Sequence, residues 1–204
     1  WKADGLGSVL ELPNLPAITG STGWNRYMRI EAVGGGVVSL PKVTQISDPS
    51  GGSYAQNGVW ITSRGVGSVI NLSSLVSISD GRPNPGSTSI RVAEGGSIQA
   101  GKLTQLTSTV LYVESGGSIP TAQIRQITGF DSGIVNNGES VDLSGVTTLM
   151  DSYVEVKGGG TVSLPNVTNI DGCSFLVQGG VGLVLPAVTR YDTPASDGRE
   201  FAWK

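Results

Sequence analysis

Carboxylates have the widest chemical repertoire in this sequence, because pairs of them cleave glycosidic bonds and clusters of them bind calcium. A glycosidase holds its two carboxyl groups about 5–10 Å apart, and a calcium site gathers about six to eight oxygen ligands. Along this chain the acidic residues are spread singly, with no dense group. The sequence therefore predicts neither a catalytic residue nor a metal site among its candidate carboxylates, which are Glu11, Glu31, Glu94, Glu114, Asp131, Glu139, Asp142 and Glu155.

Histidine is absent from the chain and there is one cysteine, Cys173. Without histidine, Ser-His-Asp triads and imidazole metal sites are excluded. A lone cysteine cannot form an internal disulfide, and at the start of a predicted strand we expect Cys173 to pack as a small side chain. No glycine-rich segment carries the lysine and following helix of a phosphate-binding loop. The sequence thus predicts no cofactor.

A second group of side chains, aromatic residues and arginines, could recognise sugars. Aromatic rings stack on the apolar faces of sugar rings, and long loops commonly carry binding residues. In the first half of the chain these residue types gather at three long insertions and on the adjoining strands. The alternative is that the aromatic rings fold the inserted loops back onto the protein. The candidate ligand-binding residues are Trp24, Arg26, Tyr27, Tyr54, Trp60, Arg64, Arg82, Arg91 and Tyr112.

The charge balance narrows the set of partners. A formal net charge of −3 provides no basic field for nucleic acid or an anionic membrane. No apolar run approaches the roughly 20 residues of a membrane-spanning helix. The chain starts inside a repeat, and Trp1-Lys2 recurs as Trp203-Lys204. We therefore expect residues 1–204 to be one domain excised from a longer chain, with neighbouring repeats of the same polypeptide as partners.

An internal repeat defines the elements that must position these side chains. Four apolar columns, which begin at Leu10, Leu12, Leu15 and Ile18, recur eight times. The first column repeats at intervals of 28, 32, 28, 21, 22, 21 and 21 residues, so the unit is 21 residues and the early units carry insertions. These insertions are predicted near 19–28, 47–58 and 79–88. The first column consists of Leu10, Val38, Ile70, Ile98, Ile119, Val141, Val162 and Leu183.

Within each unit, apolar and polar residues alternate with a period of two, as in a strand with one buried face. Val162 and Leu164 share one face, and Ser163 lies on the other. Glycine pairs such as Gly95-Gly96 break the alternation once per unit, and several units have a proline at the next break. Glycine suits a sharp corner, and proline cannot donate to a strand ladder. Each unit therefore predicts three short strands and three corners.

A 21-residue unit cannot bury its apolar face alone, so the units must stack to share a core. The predicted fold is all-β: a single-stranded parallel β-helix of about eight rungs, with three short strands per rung. We take it as right-handed from the general preference of parallel crossovers. The alternative is a leucine-rich repeat, in which each unit pairs one strand with a helix or 3₁₀ segment. Glycine pairs and β-branched residues fill the stretch where that helix would lie.

The lines "GGGTVSLPNVTNI" and "GGGVVSLPKVTQI" resemble the repeats of large bacterial exoproteins. Over nearly all of its length the chain is similar to right-handed parallel β-helix proteins of secreted bacterial origin, a group that includes pectate-lyase-like enzymes and adhesins. The resemblance implies a secreted or cell-surface location and a non-catalytic role as a structural spacer or adhesive segment. It leaves a carbohydrate-binding module as the alternative, with a polysaccharide or a cell-surface glycan as ligand, and a polysaccharide lyase as a minority interpretation.

A partial threonine column offers one further hypothesis. Thr44, Thr104, Thr147, Thr168 and Thr189 occupy one outward position of the repeat. Regular threonine arrays on flat β-faces are known from ice-binding proteins, but here Val76 and Arg125 interrupt the column. Ice binding is accordingly the weakest of the functions considered.

Overall fold

The computed structural model describes residues 1–21, 26–49, 57–81 and 88–193. Over these ranges the chain is all-β and contains no helix. The part described therefore has no apolar helix long enough to cross a membrane, and no helical segment of the kind that the leucine-rich alternative requires. The strands, in chain order, are β1 (Lys2–Asp4), β2 (Val9–Glu11), β3 (Ala17–Thr19), β4 (Tyr27–Val33), β5 (Val37–Ser39), β6 (Gln45–Asp48), β7 (Gly58–Arg64), β8 (Val69–Asn71), β9 (Ser77–Asp80), β10 (Thr88–Ala93), β11 (Ser97–Gln99), β12 (Gln105–Thr107), β13 (Thr109–Glu114), β14 (Gln126–Asn137), β15 (Ser140–Asp142), β16 (Thr148–Lys157), β17 (Thr161–Ser163) and β18 (Ser174–Val177).

A strongly curled sheet of 12 strands dominates the structure. Its strand order is β1-β4-β7-β10-β13-β14-β12-β9-β6-β3, and β16 joins β14 to β18. The curl arises at β14, which pairs with β12 near its start and with β13 near its end. There are also a four-stranded sheet, β11-β8-β5-β2, and a two-stranded sheet, β15-β17. The three sheets together are called the wall. The strand pairs are parallel, and each joins equivalent positions of successive repeats.

The predicted apolar columns stack inside this curled wall. Val38 is in register with Ile70, and Ile70 with Ile98. All three side chains are buried in one continuous hydrophobic cluster. The two small members of the second column, Ala100 and Thr121, are buried as well. The stacking of the columns is thereby confirmed for the described residues.

Two of the strands are longer than the predicted short ones. Strand β14 has 12 residues and β16 has 10, because each continues through a corner, where the register between the two strands shifts after Thr128 and resumes at Ser132. At the equivalent position of this corner, Ser108 between β12 and β13 and Asp151 within β16 adopt positive φ angles of 47° and 51°. The turn is sharp enough to need a left-handed residue, yet it does not require glycine, since short polar side chains tolerate that conformation.

The three predicted insertions leave the ends of β3, β6 and β9 and return at β4, β7 and β10. Much of each lies outside the described residues, but their bases are anchored. The buried amide of Asn57 accepts a hydrogen bond from the backbone N–H of Arg26 at 2.9 Å. The same side chain donates to the carbonyl of Ser21 at 2.9 Å. Asn57 therefore ties the start of β7 to both described ends of the first insertion.

Cys173 is fully buried and donates to the carbonyl of Leu149 at 3.4 Å. Burial raises the pKa of its thiol from 9.0 to about 11, so the thiolate that reacts with electrophiles is scarce in the folded protein. We expect iodoacetamide at pH 8 to leave Cys173 unmodified in the native protein and to label it fully after denaturation, as read by mass spectrometry. Rapid labelling of the native protein would contradict the packing described here.

The same pKa gives a stability effect with a defined sign. The folded protein favours the protonated thiol, so the contribution is fully present below pH 9 and is lost as the pH rises towards 11. The loss amounts to at most roughly 2–3 kcal/mol. In urea unfolding, the wild type should therefore lose more stability between these pH values than Cys173→Ser does. Ser152 stands at the equivalent position one repeat earlier, since both residues precede the register pair Tyr153–Ser174, so serine suits the site.

Candidate functional site

An aromatic–arginine cluster, formed by Tyr27, Arg29 and Trp60, lies on the outer face of β4 and β7. The alternation of these strands directs Ile30 and Ile61 into the core and the cluster residues outward. The rings of Tyr27 and Trp60 lie 4.3 Å apart between centroids and are tilted by 40°. The Arg29 guanidinium carbon lies 5.0 Å from the Trp60 ring centroid, within cation–π range. The two rings remain half-buried and the arginine is exposed.

A second pairing of arginine with an aromatic ring lies further along the same face, on β10 and β13. The Arg91 guanidinium carbon is 4.5 Å from the Tyr112 ring centroid. Its Nη1 also forms an ion pair with Glu114 at 2.9 Å. Arg91 and Tyr112 are register partners, so the contact follows directly from strand pairing. Both residues are half-buried.

A charged groove of about 660 Å³ runs beside these pairs. Its walls carry three ion pairs, Lys2–Asp4 at 2.7 Å, Arg64–Glu94 at 3.6 Å and Arg91–Glu114 at 2.9 Å. The Asp4 carboxylate, hydrogen-bonded to the Lys2 ammonium, raises the pKa of Lys2. Such exposed pairs contribute little to folding stability. They place hydrogen-bond donors and acceptors at fixed positions along the face.

The structure brings five of the nine predicted ligand-binding residues onto this one face, namely Tyr27, Trp60, Arg64, Arg91 and Tyr112. Arg26 lies just before β4 with an exposed side chain. Trp24, Tyr54 and Arg82 lie outside the described residues. Sequence reasoning missed Arg29, although its position two residues after Tyr27 on an alternating strand could have placed it on the same face.

Among the described residues 1–21, 26–49, 57–81 and 88–193, the candidate carboxylates Glu31, Glu94 and Glu114 line the charged groove, whereas Glu155 lies far from Glu31. Glu31 and Glu155 share one outward row, but four register partners, Thr62, Arg91, Tyr112 and Val135, separate them. At one strand spacing per step the separation is about 24 Å, too wide for a glycosidase pair. Within those ranges no three acidic or cysteine side chains come close enough to hold a metal ion.

Asp142 is held ionised by its own turn. The backbone N–H of Ser144 donates to its carboxylate at 2.8 Å, and hydrogen bonds from Ser144 lower the pKa of Asp142. A carboxyl group with a lowered pKa is a poor proton donor at neutral pH. Its described contacts fit a turn-stabilising role.

The threonine column forms a continuous backbone ladder on another outer face. Val76 donates to the Thr44 carbonyl at 2.8 Å, and Thr104 to that of Val76 at 2.9 Å. Arg125 continues the ladder from Thr104 at 2.8 Å. The exposed valine and arginine therefore stand within the column, as predicted, and prevent an unbroken row of hydroxyl groups.

No protein-family model, curated protein or solved structure matches this chain.

Proposed function

We propose that the chain is a right-handed parallel β-helix of about eight rungs and that it serves as a non-catalytic, adhesive segment of a large bacterial surface protein. The repeat-to-repeat register of the parallel strands supports the architecture. Its outward-facing aromatic and arginine residues support contact with a polysaccharide or a cell-surface glycan. The location is secreted or cell-surface, as the resemblance to bacterial exoproteins implies.

The observation that carries the glycan proposal is the aromatic–arginine cluster. A half-exposed Trp60 ring with Tyr27 at 4.3 Å and Arg29 at 5.0 Å forms a platform of aromatic faces bordered by guanidinium donors. Sugar rings place their C–H faces on such platforms and their hydroxyl groups against nearby donors and acceptors. The charged groove extends this surface by several strand spacings, which suits a chain of sugars better than a single ring.

The proposed role in a longer rod has support at the amino-terminal end of the wall. Strands β1, β2 and β3 are the terminal strands of their sheets, each paired with one neighbour, β4, β5 and β6 respectively. Leu6 and Val9 at this end are 92% and 58% exposed. Unpaired strand edges with apolar side chains favour further strand pairing. A neighbouring repeat of the same polypeptide is the partner that would continue the ladder.

The glycan proposal predicts a specific loss in Trp60→Ala. On a glycan array, we expect the wild type to bind at least one polysaccharide class reproducibly. We expect Trp60→Ala to bind it at least about tenfold more weakly, since truncating a tryptophan at the centre of a contact surface costs about 2 kcal/mol. The measurement is repeated by titration calorimetry with the best ligand.

Tyr153→Ala is the matched control for this experiment. Tyr153 is a half-buried aromatic residue on the same outward row, beyond Gly133 and far from the cluster. It should bind the glycan as the wild type does. Thermal unfolding of both variants separates loss of contact from loss of fold. If Trp60→Ala folds and binds like the wild type, or if the wild type binds no glycan, the proposed function is wrong.

A further inference from the structure

The second face of the wall contains a slit, defined as the opening between residues 118–120 and strand β15. The four-stranded sheet extends from β11 only to an isolated bridge between Ser97 and Ser118. Strand β15 pairs with β17 on its other side. Within this described stretch, no backbone hydrogen bond joins residues 118–120 to β15. The strand ladder of this face is therefore interrupted at one position.

Corner lengths explain the interruption. Three residues, 94–96, separate β10 from β11, and three, 158–160, separate β16 from β17. Only Gly138 and Glu139 separate β14 from β15. The corner before β15 is thus one residue shorter than its counterparts, and Pro120 on the facing segment has no N–H with which to restore the ladder.

A cavity of about 310 Å³ occupies the slit. Val113, Ile119 and Val141 form its apolar floor, and the hydroxyl groups of Ser118, Thr121 and Ser140 border it. Thr121, which lines the cavity, is smaller than the leucine that most members of its column have. The volume is at the lower end of the range for small-molecule sites.

Glu139 adds a charged acceptor to the rim. Its Oε1 accepts a hydrogen bond from the Gly116 backbone N–H at 2.6 Å, which fixes the carboxylate across the slit. The other carboxylate oxygen forms no hydrogen bond with any described residue. A ligand hydroxyl group could donate to that oxygen without displacing an existing bond.

The slit is closed at both ends, which limits what can enter it. Glu114 remains the register partner of Asn137 at one end. At the other end Thr147 donates to the Arg125 carbonyl at 3.0 Å. The layers are therefore held about 4.8 Å apart at both ends, so a complete extra peptide strand cannot be inserted between them. A compact ligand that approaches from outside can still reach the unpaired backbone groups.

We propose that the slit binds a single compact polyhydroxylated ligand, a sugar ring or a polyol of similar size. Its hydroxyl groups would pair with Glu139, with the bordering hydroxyl side chains and with the unpaired backbone groups, while its C–H face rests on Val113 and Ile119. This site is separate from the aromatic–arginine cluster and does not depend on the function proposed for that face.

The test uses ¹H–¹⁵N spectra of the whole chain titrated with glucose, galactose, mannose and N-acetylglucosamine, each to roughly 50 mM, well above a dissociation constant of about 1 mM. We expect at least one sugar to shift the amide signals of Ile119, Thr121 and Ser140.

Thr121→Leu places a leucine at this position, as in most members of the column, and fills the cavity. It should therefore weaken sugar binding at least about tenfold. Ser163→Val, on the outer face of β17 away from the slit, is the control and should bind as the wild type does.

Two outcomes would overturn the inference. The first is that none of the four sugars shifts the slit amides, including the case in which a sugar shifts only signals of Tyr27, Trp60 or Tyr112; that case would leave the proposed glycan face intact. The second is that Thr121→Leu, folded as judged by its spectrum, binds the sugar with unchanged affinity.

Discussion

Ile70→Asp is expected to leave the chain unfolded at 25 °C. Ile70 is fully buried between Val38 and Ile98, its register partners on the two neighbouring strands. The substitution removes a buried aliphatic side chain, which costs about 2–5 kcal/mol. It also places a carboxylate among apolar side chains without a partner, which adds several kcal/mol. The sum is comparable with the total stability of a typical domain, about 5–15 kcal/mol.

Asn71→Asp supplies the matched control, because it introduces the same charge one residue further along β8. Asn71 is half-buried on the outer face, and its Oδ1 accepts from the Ser73 N–H at 3.1 Å. An aspartate keeps that acceptor, so the change in the free energy of unfolding should stay within about 0.5 kcal/mol. Circular dichroism during urea unfolding measures both variants. A folded Ile70→Asp protein of near-normal stability would show that the apolar columns do not carry the core.

The second large effect is expected for Gly96→Ala at the corner between β10 and β11. A Cβ atom at this position would overlap the backbone carbonyl of Ser63 in the preceding layer and lie 2.7 Å from the Arg64 nitrogen. Backbone atoms cannot rotate away as a flexible side chain does, so the layers would have to separate. We expect a loss of about 3 kcal/mol or more, at the upper end of the overpacking range.

Gly101→Ala is the control for this corner effect. A Cβ atom there meets nothing within 4 Å, and the backbone is not in the left-handed region. The added methyl group should leave stability unchanged or raise it by up to about 1 kcal/mol, because it restricts the unfolded chain. Differential scanning calorimetry of the two alanine variants gives the comparison. Equal melting temperatures would mean that the close approach of the layers at Gly96 does not affect the stability of the fold.

Several features of the fold could be predicted from the sequence because they depend on local patterns. The period-two alternation around Val162 indicated strands with one buried face, and the recurrence of the four columns indicated that repeats stack in register. The breaks at Gly95-Gly96 indicated a corner, although the steric reason for Gly96 required the position of Ser63. The prediction of three uniformly short strands per unit failed at β14 and β16, since a corner residue such as Asp151 carries no clear signal that the strand continues past it.

The candidate site was only partly accessible to sequence reasoning. Tyr27, Trp60 and Tyr112 could be assigned to the outside by alternation. Their partners could not, because a contact such as that between Arg29 and Trp60 depends on which residues of strands 31 positions apart come into register. The slit was inaccessible for the same reason, since it depends on the length of one corner relative to its counterparts in the neighbouring layers rather than on any single motif.

By itself, the sequence determined which side chains face inward and that equivalent positions of successive repeats stack. The tertiary structure alone decided which outward side chains meet, where the ladder is interrupted and which strands continue through a corner. The physical reason is that burial of apolar side chains is encoded at each position, whereas neighbours across strands depend on register, and register depends on the lengths of all the corners and insertions between them.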